Sequence, residues 1–216
     1  MPDQKHRSNY RQLQAQMTRE RIVDAARALM AERGWSGATI DAIAEKAGVA
    51  TPTVYAAFGN KLAILDAMRQ VMLRDSKIPE LTEQALAEPD AARRLALWAK
   101  SVRQQMESSY DIISIHRQAA RADPEFAIEY RKVLDNRARH FAEFVRGLRY
   151  GLADEIDART ATDLLWALST EELWRELVEE RGWSADRYEL WLGATLVAQL
   201  IEAPTARRPG RQRGRR

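Results

Sequence analysis

From Thr18 to Ile201 nearly every segment places apolar residues three or four apart, and none alternates cleanly as a half-buried strand would. That one periodicity restricts the chain to packed helices. Ile22, Ala25, Ala26, Leu29 and Met30 form a first apolar stripe, with Thr18 placed to cap the helix and Gly34 placed to stop it. Two short helical segments follow. Thr39 caps one that turns Ile40, Ile43 and Ala44 inward and ends at Gly48; the other covers about Thr51 to Phe58, with Pro52 in the first turn, where a missing N–H does no harm. Gly59-Asn60 breaks it, and Asn60 opens a helix whose stripe is Leu62, Leu65, Met68 and Met72.

Lys77-Ile78-Pro79 reads as a hinge. Beyond it the periodicity predicts helices over about 90–108, 110–121, 124–148, 157–168, 170–181 and 185–201. Asp123-Pro124-Glu125 supplies a cap, an N1 proline and a first-turn acid, Ser169-Thr170-Glu171-Glu172 has a capping-box pattern, and Ser184 opens the last helix. The fold class expected is all-α, with an N-terminal three-helix helix-turn-helix domain linked to a C-terminal helical domain. The divisions are a flexible basic arm over 1–17, a first domain over 18–77, a second over 78–203 and a disordered Arg-rich tail over 204–216.

Two short helices joined by a tight turn, packed on a helix before and a helix after, can hold the second one proud enough to enter a DNA major groove. Here that helix begins with Ala50, Thr51, Pro52, Thr53 and Val54. They are small residues whose hydroxyls can bond a base edge and whose methyls can touch a thymine methyl. Thr39 starts the first short helix, where free N–H groups and the dipole favour a phosphate. Tyr55 and Lys61 offer a hydroxyl and a point charge to the DNA backbone, and Lys46 can assist the reading of bases.

Charge agrees in part. The chain carries a net +3, but residues 1–78 hold 12 basic against 8 acidic side chains, 79–206 hold 16 against 23, and 207–216 hold six arginines and no acid. Only part of the molecule is built to face a polyanion. Lys5, Arg7 and Arg11 in the arm can reach along a duplex or into its minor groove, and the tail can add non-specific affinity; solvated disorder is the alternative for both.

Other classes find little support. There is no cysteine, hence no disulfide framework or thiolate metal site. No glycine-rich phosphate loop, metal-spaced cluster or paired nucleophile and base is present, and His6, His116 and His140 are scattered, so no catalytic residue, metal or cofactor is expected. The N-terminus lacks the apolar core of a signal peptide, and no stretch approaches a membrane span, so a soluble cytoplasmic protein is the expectation.

The run Thr39-Ile40-Asp41-Ala42-Ile43-Ala44-Glu45-Lys46-Ala47-Gly48-Val49-Ala50-Thr51-Pro52-Thr53-Val54-Tyr55-Ala56-Ala57-Phe58-Gly59-Asn60-Lys61 resembles the DNA-binding signature of the TetR family of bacterial repressors, as does Ile22 to Gly34 upstream. The likeness covers about residues 18–65. It implies DNA contact at Thr39, Thr51, Thr53, Tyr55 and Lys61, and packing roles for Ile43, Ala44, Ala47 and Phe58. Ala56-Ala57 departs from the polar pair that many members carry, which implies fewer phosphate contacts.

The resemblance also implies a dimer on a pseudo-palindromic double-stranded operator and a variable body that binds a small molecule. The body's candidates for an apolar or aromatic effector are Met106, Tyr110, Ile113, His116 and Arg117 on one helix face and Tyr130, Leu134, Arg137 and Phe141 on another. Trp98, Trp166 and Trp174 add flat surfaces. Trp191, Leu192, Thr195, Leu196 and Gln199 are the candidate dimer face. A DNA-binding regulator with no small-molecule effector, controlled by a protein partner or constitutive, is the alternative.

Overall fold

A computed structural model describes residues 3–148 and 151–201, without the side chains of 3–8, 73 and 75. The Arg-rich tail of 204–216 lies outside the described residues. The described residues form helices and connecting turns, with no strand among them. They are α1 (Asp3–Gly37), α2 (Ile40–Ala47), α3 (Thr51–Phe58), α4 (Lys61–Asp75), α5 (Ile78–Ala87), α6 (Ala91–Ala122), α7 (Pro124–Arg146), α8 (Ala158–Leu168), α9 (Glu171–Trp174), which runs into a π-turn over Arg175–Glu180, and α10 (Ala185–Leu200).

The chain packs as two compact units. The first joins Met1–Pro79 to Gln104–Arg137, so it takes the later part of α6 and the first part of α7 along with α1–α4. Its core is Ile22, Ala26, Leu29 and Met30 of α1, Ile43 and Ala44 of α2, Val54 and Phe58 of α3, and Ile64, Leu65 and Met68 of α4. Ile112, Ile115 and Ala119 of α6 complete it. The second unit joins Glu80–Arg103 to the chain from Ala138 onward. There Trp98 packs on Phe141 and Phe144 at ring separations of 4.8 and 4.4 Å, and its indole N–H donates to the Ser169 hydroxyl at 3.0 Å. Arg94, buried, donates to the carbonyls of Leu86 in the last turn of α5, of Glu88 just after it and of Phe144 near the end of α7, so one guanidinium joins two helix ends.

Several expectations change. The arm expected to be flexible is helical from Asp3 and continuous with α1. Residues 3–17 contain no glycine and no proline and carry four glutamines and two arginines, so they propagate a helix that α1 has already nucleated. The helices expected over 90–108 and 110–121 are one, α6; where the break was expected, the Ser108 hydroxyl donates to the Gln104 carbonyl at 2.7 Å within the helix. Pro79 sits inside the first turn of α5 rather than in an open hinge. The capping box at Ser169–Glu172 does not form: Thr170 is the N-cap without a side-chain cap bond, and the Ser169 hydroxyl is bonded to Trp98.

The segment after α9 is not α-helical, because three side-chain pairs five residues apart fit the wider π-turn. They are Trp174–Glu179 at 3.2 Å, Arg175–Glu180 at 2.8 Å and Arg181–Glu176 at 3.2 Å. On α10, Leu192 and Leu196 are fully buried in their own chain, in one stripe with Tyr188 and Leu200. Their assignment to a dimer face is therefore corrected: a four-residue repeat marks a buried face but not which body buries it. Trp191 and Thr195 are half-buried, and Gln199 is exposed.

Candidate nucleic-acid interface

The site is built from α2, its turn and α3. Thr39 caps α2, its hydroxyl oxygen accepting from the Ala42 N–H at 3.2 Å, and Asp41 adds a carboxylate to the first turn. α2 stops at Gly48, whose φ of 66° lies in the left-handed region; its N–H bonds to the Ala44 and Glu45 carbonyls. The Val49 N–H returns to the Ala44 carbonyl at 3.0 Å, and the chain leaves in the direction α3 needs. α3 starts at Ala50 with no side-chain cap, Pro52 in its first turn and the Thr53 N–H on the Ala50 carbonyl at 2.8 Å. Val54 and Phe58 face the core, which turns Pro52, Thr53, Tyr55 and Ala56 outward.

Of the seven predicted contacts, Thr39, Lys46, Pro52, Thr53 and Tyr55 are exposed on this element, Tyr55 by 53%. Thr51 is half-buried, and its hydroxyl donates to Asp41 Oδ1 at 2.8 Å. Lys61 is placed differently from its expectation as a free point charge. Its ammonium donates to the Trp35 carbonyl at 2.7 Å and lies 4.1 Å from the centroid of the Trp35 ring. Burial there lowers its pKa from the usual lysine value. Lys61 thus ties the start of α4 to the end of α1, leaving at most its remaining N–H bonds for a phosphate.

Two arginines of α1 that the sequence did not single out brace the unit, one on this element and one on the scaffold behind it. Arg19 of α1 donates to the Ala57 carbonyl at the end of α3, and its guanidinium lies 4.1 Å from the Phe58 ring centroid. A cation on the carbonyl end of a helix is favoured both by the free acceptor and by the dipole. Arg27 of α1 grips Asp111 of α6 through two nitrogens, at 2.7 and 2.9 Å, and donates to the Ser108 carbonyl at 3.0 Å. The Asp111 hydrogen bond raises the Arg27 pKa.

The candidate ligand residues divide between the units. In the first unit, Tyr110, Ile113, Arg117, Tyr130, Leu134 and Arg137 keep part of their surface, whereas Met106 and His116 are buried. His116 Nδ1 lies 2.8 Å from the Ile112 carbonyl oxygen, and its ring sits 6.0 Å from Phe126 and 6.3 Å from Tyr130. Desolvation lowers its pKa. Phe126 also stacks on Trp35, at 6.4 Å. In the second unit Phe141 links Trp98 to Trp166, while Trp174 meets the buried Tyr188 edge-on at 5.1 Å.

The sequence profile described as "Bacterial regulatory proteins, tetR family" matches residues 22–68, the segment that carries this site. The HTH-type transcriptional regulator SrpR of Pseudomonas putida is 47% identical over 55 residues, 26% of each chain. The class D tetracycline repressor protein of Escherichia coli is 43% identical over 54 residues, 25% of each. The match thus spans about a quarter of the length of these relatives. Whole-chain similarity is one of fold. NalD, the secondary repressor of the MexAB-OprM multidrug efflux pump in Pseudomonas aeruginosa, superposes with a TM-score of 0.68 at 23% identity, over 88% of this chain and 98% of that one. The regulator FadR from Bacillus subtilis, solved with stearoyl-CoA, gives 0.67 at 21% identity, over 83% and 97%. With the helix-turn-helix geometry, the matched profile and these relatives in agreement, residues 22–68 are similar to the DNA-binding segment of the TetR family of bacterial regulatory proteins, and the fold of the whole chain is similar to that of these regulators.

Proposed function

We propose that this protein is a homodimeric, sequence-specific DNA-binding regulator that represses from a pseudo-palindromic operator and is released by an apolar or aromatic small molecule. The observation that carries the reading is one short helix, α3, with a buried Val54–Phe58 face and an exposed Pro52, Thr53 and Tyr55 face, joined to α2 by a left-handed Gly48. In this reading Thr51, Pro52 and Thr53 meet base edges, with Lys46 beside them, and Thr39 and Tyr55 hold phosphates. Lys61 serves as a strut more than as a phosphate contact.

Reading successive major grooves needs two copies of α3 roughly 34 Å apart, hence a dimer. The surface proposed for it is the side of α10 opposite the buried stripe, where Leu190 is 74% exposed next to Trp191, Ala194 and Ala198. The ligand candidates retained are Tyr110, Ile113, Arg117, Tyr130, Leu134 and Arg137, which keep exposed surface on α6 and α7. The fold is one that holds stearoyl-CoA in the Bacillus subtilis regulator, which supports an apolar effector. The test is a gel shift with the DNA upstream of the protein's own coding region, repeated with long-chain acyl thioesters and with aromatic cations. A shift that one compound class reverses supports the whole reading. A shift that no compound reverses leaves a regulator without a small-molecule effector, and no shift at low salt removes the DNA reading.

A further inference from the structure

The carboxylate of Asp41 stands in the first turn of α2, exposed, on the element that the proposed function turns toward a polyanion. Close to phosphates a carboxylate is repelled, so its place there asks for another account. The structure gives it a partner: the Thr51 hydroxyl, at the first position of α3, lies 2.8 Å from Asp41 Oδ1. An ionised carboxylate has no hydrogen to give, so the hydrogen of this bond belongs to Thr51. Such charge-assisted bonds are among the stronger ones, and a β-branched side chain has few rotamers to exchange. The hydroxyl is held in one orientation with its donor occupied. Toward anything else Thr51 Oγ1 can only accept.

We infer that Asp41 is a specificity-determining residue that acts through Thr51, fixing it as an acceptor so that it selects an amino-bearing base, adenine or cytosine, on the strand it faces. The inference rests on the DNA-reading role proposed above. In the major groove adenine N6 and cytosine N4 are donors, whereas guanine presents N7 and O6 and thymine presents O4, all acceptors. A free threonine hydroxyl rotates and suits either set. A threonine whose hydrogen already points to Asp41 meets guanine or thymine lone pair to lone pair. Asp41 touches no base in this scheme; it positions, and it weakens overall affinity while narrowing choice.

The experiment uses the full chain and a randomised duplex library, with bound sequences counted for the wild type, Asp41→Ala, Thr51→Val and the double variant, each checked for retained helicity. The wild type is expected to enrich adenine or cytosine over guanine or thymine by roughly tenfold at one base position per half-site, the size of one well-placed hydrogen bond. Asp41→Ala should flatten that position to within about threefold, leave the other positions as they were, and bind the pool more tightly because a charge facing phosphates is gone. Thr51→Val should flatten the same position, and adding Asp41→Ala to it should change nothing further there. An Asp41→Ala pattern identical to wild type, or one altered at a position that Thr51→Val leaves untouched, overturns the inference while the DNA reading stands. A wild-type protein that enriches no sequence overturns the DNA reading itself, and this inference with it.

Discussion

At the scale of single residues the head is held by cations in unequal ways, and each can be separated by measurement. Lys61 bonds the Trp35 carbonyl and covers its ring, so Lys61→Gln is expected to lower stability by about 1–2 kcal/mol in urea unfolding. The slope of log affinity against log salt should barely change, because little of that charge faces the duplex; a slope reduced by nearly one would restore Lys61 as a phosphate contact. Arg27 and Asp111 retain 42% and 31% side-chain exposure, so solvent screens their pair. A double-mutant cycle should give a coupling of about 1 kcal/mol or less that shrinks in high salt. His116 titrates in the folded state below its ordinary value, since burial opposes the imidazolium, aided by the nearby Arg69 charge and countered by the Ile112 carbonyl and Asp66. An unfolded chain therefore takes up that proton first. The stability His116 confers is complete above about pH 6.5 and is lost as pH falls through the folded value. Stability measured from pH 7.5 to 5 should fall less in His116→Asn, which keeps a donor for the Ile112 carbonyl.

At the scale of elements, local chemistry was legible and long-range pairing was not. The caps at Thr39, Asn60 and Ser184 accept the backbone N–H bonds their sequence positions imply, because a cap bond closes within a few residues. Gly48 and Gly59 end α2 and α3 as read, both at positive φ. By contrast Arg19 with Ala57, Lys61 with Trp35 and Arg27 with Asp111 join residues 26 to 84 positions apart, and nothing in a single sequence pairs such groups. The π-turn over Arg175–Glu180 escaped for a related reason: its apolar spacing suits an α-helix, and only the five-residue side-chain pairs distinguish it. A direct element-level check is Gly48→Ala. A Cβ there meets no atom within 4 Å, so the penalty is the left-handed backbone alone, about 1–2 kcal/mol in the unfolding free energy.

At the scale of the molecule the burial of Leu192 beside an exposed Leu190 on α10 has a measurable consequence. Leu192→Ala empties a site inside the protomer and should cost about 2–5 kcal/mol of stability. Leu190→Glu acts on exposed surface; if that face forms the proposed dimer, it should shift the sedimentation coefficient toward the monomer with little loss of helicity. The opposite pattern would return the dimer face to the stripe first assigned.

The first compact unit is assembled from two stretches of chain, and this limits how far the reading head is a movable part. Residues 1–79 alone would leave the surface covered by Ile112, Ile115 and Ala119 open to water, and Arg27 without its carboxylate. A fragment cut after Pro79 should be soluble only marginally and melt early, whereas hybrids between relatives should fold best when 104–137 travels with the head. For anyone exchanging parts among such regulators, the natural cassette is discontinuous, and a join at the apparent linker divides one core in two.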